Sequence, residues 1–213
     1  MDKYQNRYRI QSSRLQNWDY GWDGFYFVTI CTQNREYYFG EIHNGTMDLS
    51  KIGIIADILW HEIKNHAKNI ELDAFVVMPN HIHGILVLNG NGNGNGDGDG
   101  NVETGHALSL PQPQPNKKTI GQNRFQNIGK NTLSSIIGGY KSAVTKHAHR
   151  LGFVFEWQRN YWEHIIRNDD EYQRIAQYIM DNPKKWAMDK LNGGIGNQVM
   201  ESTTEYNLEA WTV

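Results

Sequence analysis

The sequence predicts an α+β sandwich of ferredoxin-like topology, ordered βαββαβ, with one additional helix at its C-terminal end. Three observations carry that prediction. Runs rich in β-branched and aromatic residues occur at 24–32, 72–78 and 81–88; apolar residues recur at helical intervals after Ser50 and after Thr132; and a short extended stretch at 161–166 leads into a third helical pattern.

Taken in chain order, Gly24 to Thr32 reads as a first and central strand, because Phe25, Tyr26, Phe27, Val28, Thr29, Ile30 and Thr32 are all aromatic or β-branched. Tyr37 to Leu49 is a short hairpin or an irregular excursion. Ser50 is a candidate N-cap for a helix whose apolar positions are Ile52, Ile55, Ile58, Leu59 and Ile63, followed by His66, with a stop near Asn69. Leu72 to Met78 and His81 to Leu88 form strands two and three across a tight turn at Pro79-Asn80. Residues 89–101 hold six glycines among asparagines and aspartates and cannot bury enough surface to offset the entropy of ordering. With the prolines that follow, 89–118 reads as a flexible insertion within one domain spanning 1–190, and 191–213 as a C-terminal tail. Asp97 and Asp99 resemble a calcium-binding glycine repeat in spacing, but a single run lacks the stacked repeats such a site needs.

The second helix starts at Thr132 and buries Leu133, Ile136, Ile137, Tyr140, Val144 and Ala148. Phe153 to Trp157 and Tyr161 to Ile166 are short extended stretches. Asp169 or Asn168 caps the third helix, whose first turn holds acids as the macrodipole favours and which ends near Pro183.

Composition excludes several classes. With 213 residues, 38% of them apolar, the chain can bury a sizeable core; its one cysteine rules out an intrachain disulfide. The N-terminus has no signal-peptide pattern and no run approaches the ~20 apolar residues of a membrane span, so a cytoplasmic location is expected. The net charge of −2 conceals a split: residues 1–18 carry four lysines and arginines against one acid, and 130–190 carry ten against seven. That places the basic groups where phosphates could be met.

The chemistry concentrates in two places. His81 and His83 are two apart on a strand, which puts both imidazoles on one face with Cα atoms about 6.6 Å apart, close enough to share a metal ion. The alternative is two strand histidines with no ligand. In the third helix Glu171, Arg174, Tyr178 and Asn182 form a polar row beside an apolar stripe of Tyr172, Ile175, Ala176 and Ile179, so the core does not demand a tyrosine at 178. Two histidines plus a tyrosine can cut a phosphodiester covalently; packing is the alternative for the tyrosine. The other histidines pair badly. His61 and His66, five apart on a helix, point about 140° away from each other, which excludes the zinc-protease motif, and His147 and His149 are about 200° apart. A structural zinc site is disfavoured without cysteines, whereas a harder divalent ion, Mg²⁺ or Mn²⁺, suits imidazole with oxygen donors.

The segments Tyr26 to Thr32, Met78 to His83, Trp157 to Asn168 and Tyr178 to Pro183, in this order, resemble the single-tyrosine HUH transposases, and most closely the REP-associated tyrosine transposases. The resemblance covers roughly residues 20–190. It implies that His81, His83 and Asn182 are metal ligands for Mg²⁺ or Mn²⁺ and that Tyr178 is the nucleophile. It also implies a substrate of single-stranded or hairpin DNA, nicked and rejoined through a 5′-phosphotyrosine, and allows a homodimer. His164 matches a family feature without an assigned role. Under that resemblance Lys141, Lys146, Arg159, Arg167 and Arg174 are candidates for backbone contacts, and Trp157, Tyr161 and Trp162 for base stacking. The long Asn/Gly insertion departs from the family pattern. A domesticated hairpin-DNA binder that no longer cuts is the alternative function; a replication or conjugation initiator would need further modules.

Overall fold

The computed structural model describes residues 3–4, 7–8, 20–89 and 131–192. Apart from Asn89, Leu191 and Asn192, the expected insertion and tail lie outside the described residues, as does the Asp97/Asp99 run.

The strands are β1 (Lys3–Tyr4), β2 (Arg7–Tyr8), β3 (Gly24–Cys31), β4 (Gly40–His43), β5 (Thr46–Leu49), β6 (Ile70–Met78), β7 (His81–Leu88) and β8 (Trp162–Ile166). The helices are α1 (Lys51–His61), α2 (Ile63–His66), α3 (Leu133–Arg150) and α4 (Asp169–Lys185). The main sheet has the order β6-β7-β3-β8, with every neighbouring pair antiparallel. Counting its strands along the chain gives the order 2-3-1-4, so the ferredoxin-like arrangement expected from the sequence is the one observed.

Both faces of this sheet are covered. On one, Tyr26, Val28 and Ile30 of β3 and Ile82, Leu86 and Leu88 of β7 pack against Ile52, Ala56 and Trp60 of α1 and against α3. On the other, Phe27, Ile85, Val87 and Ile166 meet Ile175 and Ile179 of α4. β7 is therefore buried along its whole length, as the apolar run Ile85 to Leu88 requires for a strand sandwiched on both faces. α3 buries the six residues that its periodicity marks. Its N-cap Thr132 forms a reciprocal capping box with Ser135.

α1 departs from expectation. Its buried face runs through Ile52, Gly53, Ala56 and Trp60, while Ile58 is exposed. The small residues decide the rotation of the helix. A Cβ on Gly53 would lie 2.1 Å from the Phe39 carbonyl oxygen, and one on Gly84 in β7 would lie 2.3 Å from the Trp60 ring. Helix and sheet thus approach through missing side chains, with Trp60 filling the space over Gly84. The helix also breaks at Glu62, and the expected stop lies at Asn69, which takes a positive φ of 58°. The excursion at 37–49 is a hairpin, β4 to β5, closed by Asn44-Gly45 with φ of 52° and 75°, the conformation a two-residue primed turn demands. Of the extended stretch expected at 153–157, a single bridge from Thr32 to Trp157 is formed.

α4 begins at Asn168, whose side chain accepts from the Glu171 backbone N–H at 2.8 Å. It continues two residues past Pro183 before a tight turn at Trp186–Met188.

Candidate active site

The site lies on the α4 side of the sheet, at the start of β7. The pleat turns His81 and His83 to the same face, and both are buried, at 0% and 3% exposure. Their Nε2 atoms stand 3.1 Å apart. Each ring is held from behind: His81 Nδ1 is 2.8 Å from Asn80 Oδ1, and His83 Nδ1 is 2.9 Å from the hydroxyl of Thr29, its register partner on β3. The Trp186 ring lies over His81 at 5.9 Å.

From α4, Tyr178 brings its hydroxyl to 3.2 Å from His83 Nε2. The two rings are 5.3 Å apart, and Phe27 packs beside both, edge-on to Tyr178 at 6.3 Å and tilted against His83 at 5.2 Å. One turn further, Asn182 is 2% exposed. Its amide donates to the Tyr178 oxygen and to the Asp189 carboxylate, while its Oδ1 is buried with no hydrogen-bond partner among the described residues. A buried, partnerless carbonyl oxygen costs ~1–3 kcal/mol unless a ligand meets it.

Asp189 completes the cluster. The ligand atoms of His81, His83 and Asp189 all lie within 4.8 Å of one another. Asp189 is brought there by the turn after α4, and its Oδ1 accepts from the Leu191 backbone N–H at 2.6 Å.

The electrostatics fit a cation. Burial, reinforced by His83 and Arg35, holds His81 well below the usual imidazole range, and burial lowers His83 to about 3. Both rings are therefore neutral, as ligands must be. Burial raises the Asp189 carboxyl. Burial first, and then the Asp189 charge, push the Tyr178 phenol above its ordinary value. Two neutral imidazoles and a carboxylate, with ligand atoms within 4.8 Å of one another, form a mixed N/O donor set of the kind that holds a divalent ion.

The structure thus gathers His81, His83, Tyr178 and Asn182 around one point. Asp189, Thr29 and Asn80 join them without having been singled out in the sequence. Thr29 and Asn80 had a weak signal in their adjacency to the histidines, across the strand pair and along the chain; Asp189 sits in a non-periodic segment and had none.

The expected DNA contacts divide. The Lys141 ammonium donates to the carbonyls of Gln158 and Arg159 at 2.7 and 3.2 Å. Trp157 donates from Nε1 to the Lys141 carbonyl at 3.1 Å and packs on Phe39 and Phe155. Tyr161 packs against the core on the α3 side. These three half-buried residues thus also have partners inside the fold. Lys146 and Arg159 are exposed, Lys146 on the helix that covers the opposite face of the sheet. Trp162, Arg167 and Arg174 lie on β8, just after it, and on α4. Trp162 meets the edge of Phe27 at 5.5 Å and stacks on His164 at 5.9 Å.

Comparison with known proteins places the fold first. A solved structure of a REP-associated tyrosine transposase bound to a REP hairpin superposes with a TM-score of 0.51 over 85% of this chain and 77% of that one, at 21% identity, so the two share a fold. By sequence, the chain belongs to the same family as an uncharacterized protein of Haemophilus influenzae, 36% identical over 182 residues that span 85% of this chain and 92% of that protein. No protein-family model matches the chain.

Proposed function

We propose that this protein is a metal-dependent DNA transposase of the single-tyrosine HUH type, nicking and rejoining single-stranded, hairpin-bearing DNA through a 5′-phosphotyrosine at Tyr178. The observation that carries this reading is the 3.2 Å approach of the Tyr178 hydroxyl to His83 Nε2, itself 3.1 Å from His81 Nε2. A packing tyrosine has no need of that position. The shared fold with a transposase bound to a hairpin supports the substrate class.

His81, His83, Asp189 and Asn182 Oδ1 would hold a divalent ion, Mg²⁺ or Mn²⁺. When bound, it supplies positive charge that favours the phenolate and polarises the scissile phosphate. The chain's own groups do the rest. The Tyr178 ring is held edge-on against Phe27 at 6.3 Å and packs on the apolar cluster between β7, β3 and α4, with its hydroxyl at His83. The Asn182 amide donates to that oxygen and stabilises it as it loses its proton. The Tyr178 oxygen then bonds to phosphorus as the bond to the 3′-oxygen breaks, and the departing 3′-oxygen takes up the proton that the phenol released. Because a phosphotyrosine keeps the diester's bond type, a 3′-hydroxyl can reverse the step without ATP.

Trp162 and Arg174 on the α4 side are the residues best placed to meet the strand. Residues 1–190 would act as one domain, and a homodimer is compatible with this arrangement.

Incubation with Mn²⁺ and end-labelled hairpin-bearing single strands tests the proposal. It predicts a covalent protein–DNA band lost in Tyr178→Phe. Hairpin binding with no such band under any divalent ion would favour a non-cutting binder.

A further inference from the structure

Asn80 occupies a two-residue turn between β6 and β7, a place that is usually solvent-exposed, yet it is 0% exposed. Every polar atom of its side chain is used. The Nδ2 group donates to the carbonyl of Arg35 at 3.2 Å and to that of Leu191 at 2.8 Å, and Oδ1 faces His81 Nδ1 at 2.8 Å. Its backbone carbonyl accepts from both the N–H and the hydroxyl of Thr32, at 2.9 and 3.0 Å.

This pattern leaves the amide one orientation. Turned over, it would set its oxygen against two carbonyl oxygens. With Oδ1 toward His81, the only favourable contact is one in which His81 Nδ1–H donates. Since the buried ring is neutral and carries a single proton, its Nε2 lone pair is left bare and aimed at His83. His83 is not locked in this way, because the Thr29 hydroxyl at its Nδ1 can either donate or accept. One imidazole is thus fixed and the other adapts. The same amide, through the Leu191 carbonyl, also anchors the segment that carries Asp189 and Trp186 to the imidazole they face.

We propose that Asn80 is a positioning residue of the metal site: it fixes the Nδ1–H tautomer and orientation of His81 and ties the Trp186–Asn192 segment, with Asp189, to that ring. The proposal rests on the reading of His81 as a ligand. Partners of this kind on ligating histidines are worth ~10–100-fold in metal affinity.

The test is ¹⁵N-histidine NMR of the metal-free full chain together with Mn²⁺ titration by calorimetry, on wild type, Asn80→Ala and Asn80→Asp. Wild type should show His81 protonated at Nδ1 and bare at Nε2. Asn80→Ala should lose that tautomer preference and bind Mn²⁺ ~10–100-fold more weakly. Asn80→Asp keeps an acceptor for Nδ1–H but sets its second oxygen against the Arg35 and Leu191 carbonyls, so it should keep the His81 tautomer while losing the tie to the Trp186–Asn192 segment, and with it Mn²⁺ affinity. If Asn80→Ala does not fold, the wild-type and Asn80→Asp spectra decide. A wild-type His81 protonated at Nε2, or a tautomer and Mn²⁺ affinity unchanged in Asn80→Ala, would overturn the proposal alone. Mn²⁺ binding that depends on Asn80 in a protein that forms no DNA adduct would uphold it while overturning the nuclease reading. No Mn²⁺ binding by wild type would overturn both.

Discussion

Gly84 and Tyr178 mark the two faces of the sheet at residue scale. On the α1 side, an added Cβ at Gly84 meets the Trp60 ring at 2.3 Å, and Trp60 is itself fully buried against Phe75 at 4.6 Å and Tyr140 at 5.4 Å. It cannot yield without disturbing both. Gly84→Ala is expected to destabilise the fold by about 1–3 kcal/mol, read as a lower denaturation midpoint at unchanged slope. On the α4 side, Tyr178→Phe removes one hydroxyl from a half-buried ring whose apolar contacts remain. Melting should shift by no more than a few degrees, the effect of losing one hydrogen bond at ~0.5–1.5 kcal/mol, while DNA adduct formation falls to background. Equal loss of stability and activity would mean the hydroxyl is structural. The legibility of single residues followed the same division. His81, His83 and Tyr178 stand out because their spacing violates what packing needs, and Asn182 follows from Tyr178 by one helical turn. Asp189 arrives by a non-repeating turn after α4, and only tertiary structure brings it to the histidines.

At the scale of the element, α4 carries the nucleophile candidate, so what docks α4 sets the geometry of the site. Its N-terminus is held twice: by the Asn168 cap, and by Glu171, which accepts from His164 Nε2 and from the Arg167 backbone N–H, each at 2.8 Å. Asn168→Ala should cost ~1 kcal/mol. The Glu171 carboxyl feels burial raising its pKa, but the Arg167 N–H and His164 outweigh it, and the net value lies below the ordinary 4.5. A depressed acid contributes stability above its unfolded pKa and loses it as pH falls through the folded value. Acid titration of wild type against Glu171→Gln should therefore show the difference in stability between them shrinking below about pH 4.5, and a constant difference would assign Glu171 a role independent of its charge. Among elements, α3 was fully legible because all six of its apolar positions repeat at helical spacing and all are buried. α1 was legible in its Ser50 cap and in Ile52 but not in its rotation, because Gly53 and Ala56, which share the buried face with Ile52 and Trp60, carry little hydrophobic signal although they permit the closest approach.

For the whole molecule, the ferredoxin-like order was readable because each strand is separated by punctuation the chain displays: Asn69, Pro79-Asn80 and Asn168. What the pattern could not supply was the side of the sheet on which α4 packs, since β7 carries apolar residues on both faces and is buried on both. Packing α4 opposite α1 and α3 places the histidines beneath it and makes the site a junction of β7, β3, α4 and the turn after it. An ion bound across such a junction stabilises the fold by mass action. At ~100 times its dissociation constant, Mn²⁺ should add ~2.7 kcal/mol, raise the melting temperature by roughly 5–10 °C, and lose the effect with chelator or in His81→Ala. Among the described residues no helix is long and apolar enough to cross a membrane. The most direct test of a nicking centre built from His81, His83, Asp189 and Tyr178 is mass spectrometry of peptides from protein reacted with Mn²⁺ and hairpin-bearing single-stranded DNA. A 5′-linked nucleotide on the Tyr178 peptide, absent without divalent ion, is the expected result; modification of a different tyrosine, or none while the DNA is cut, would contradict it.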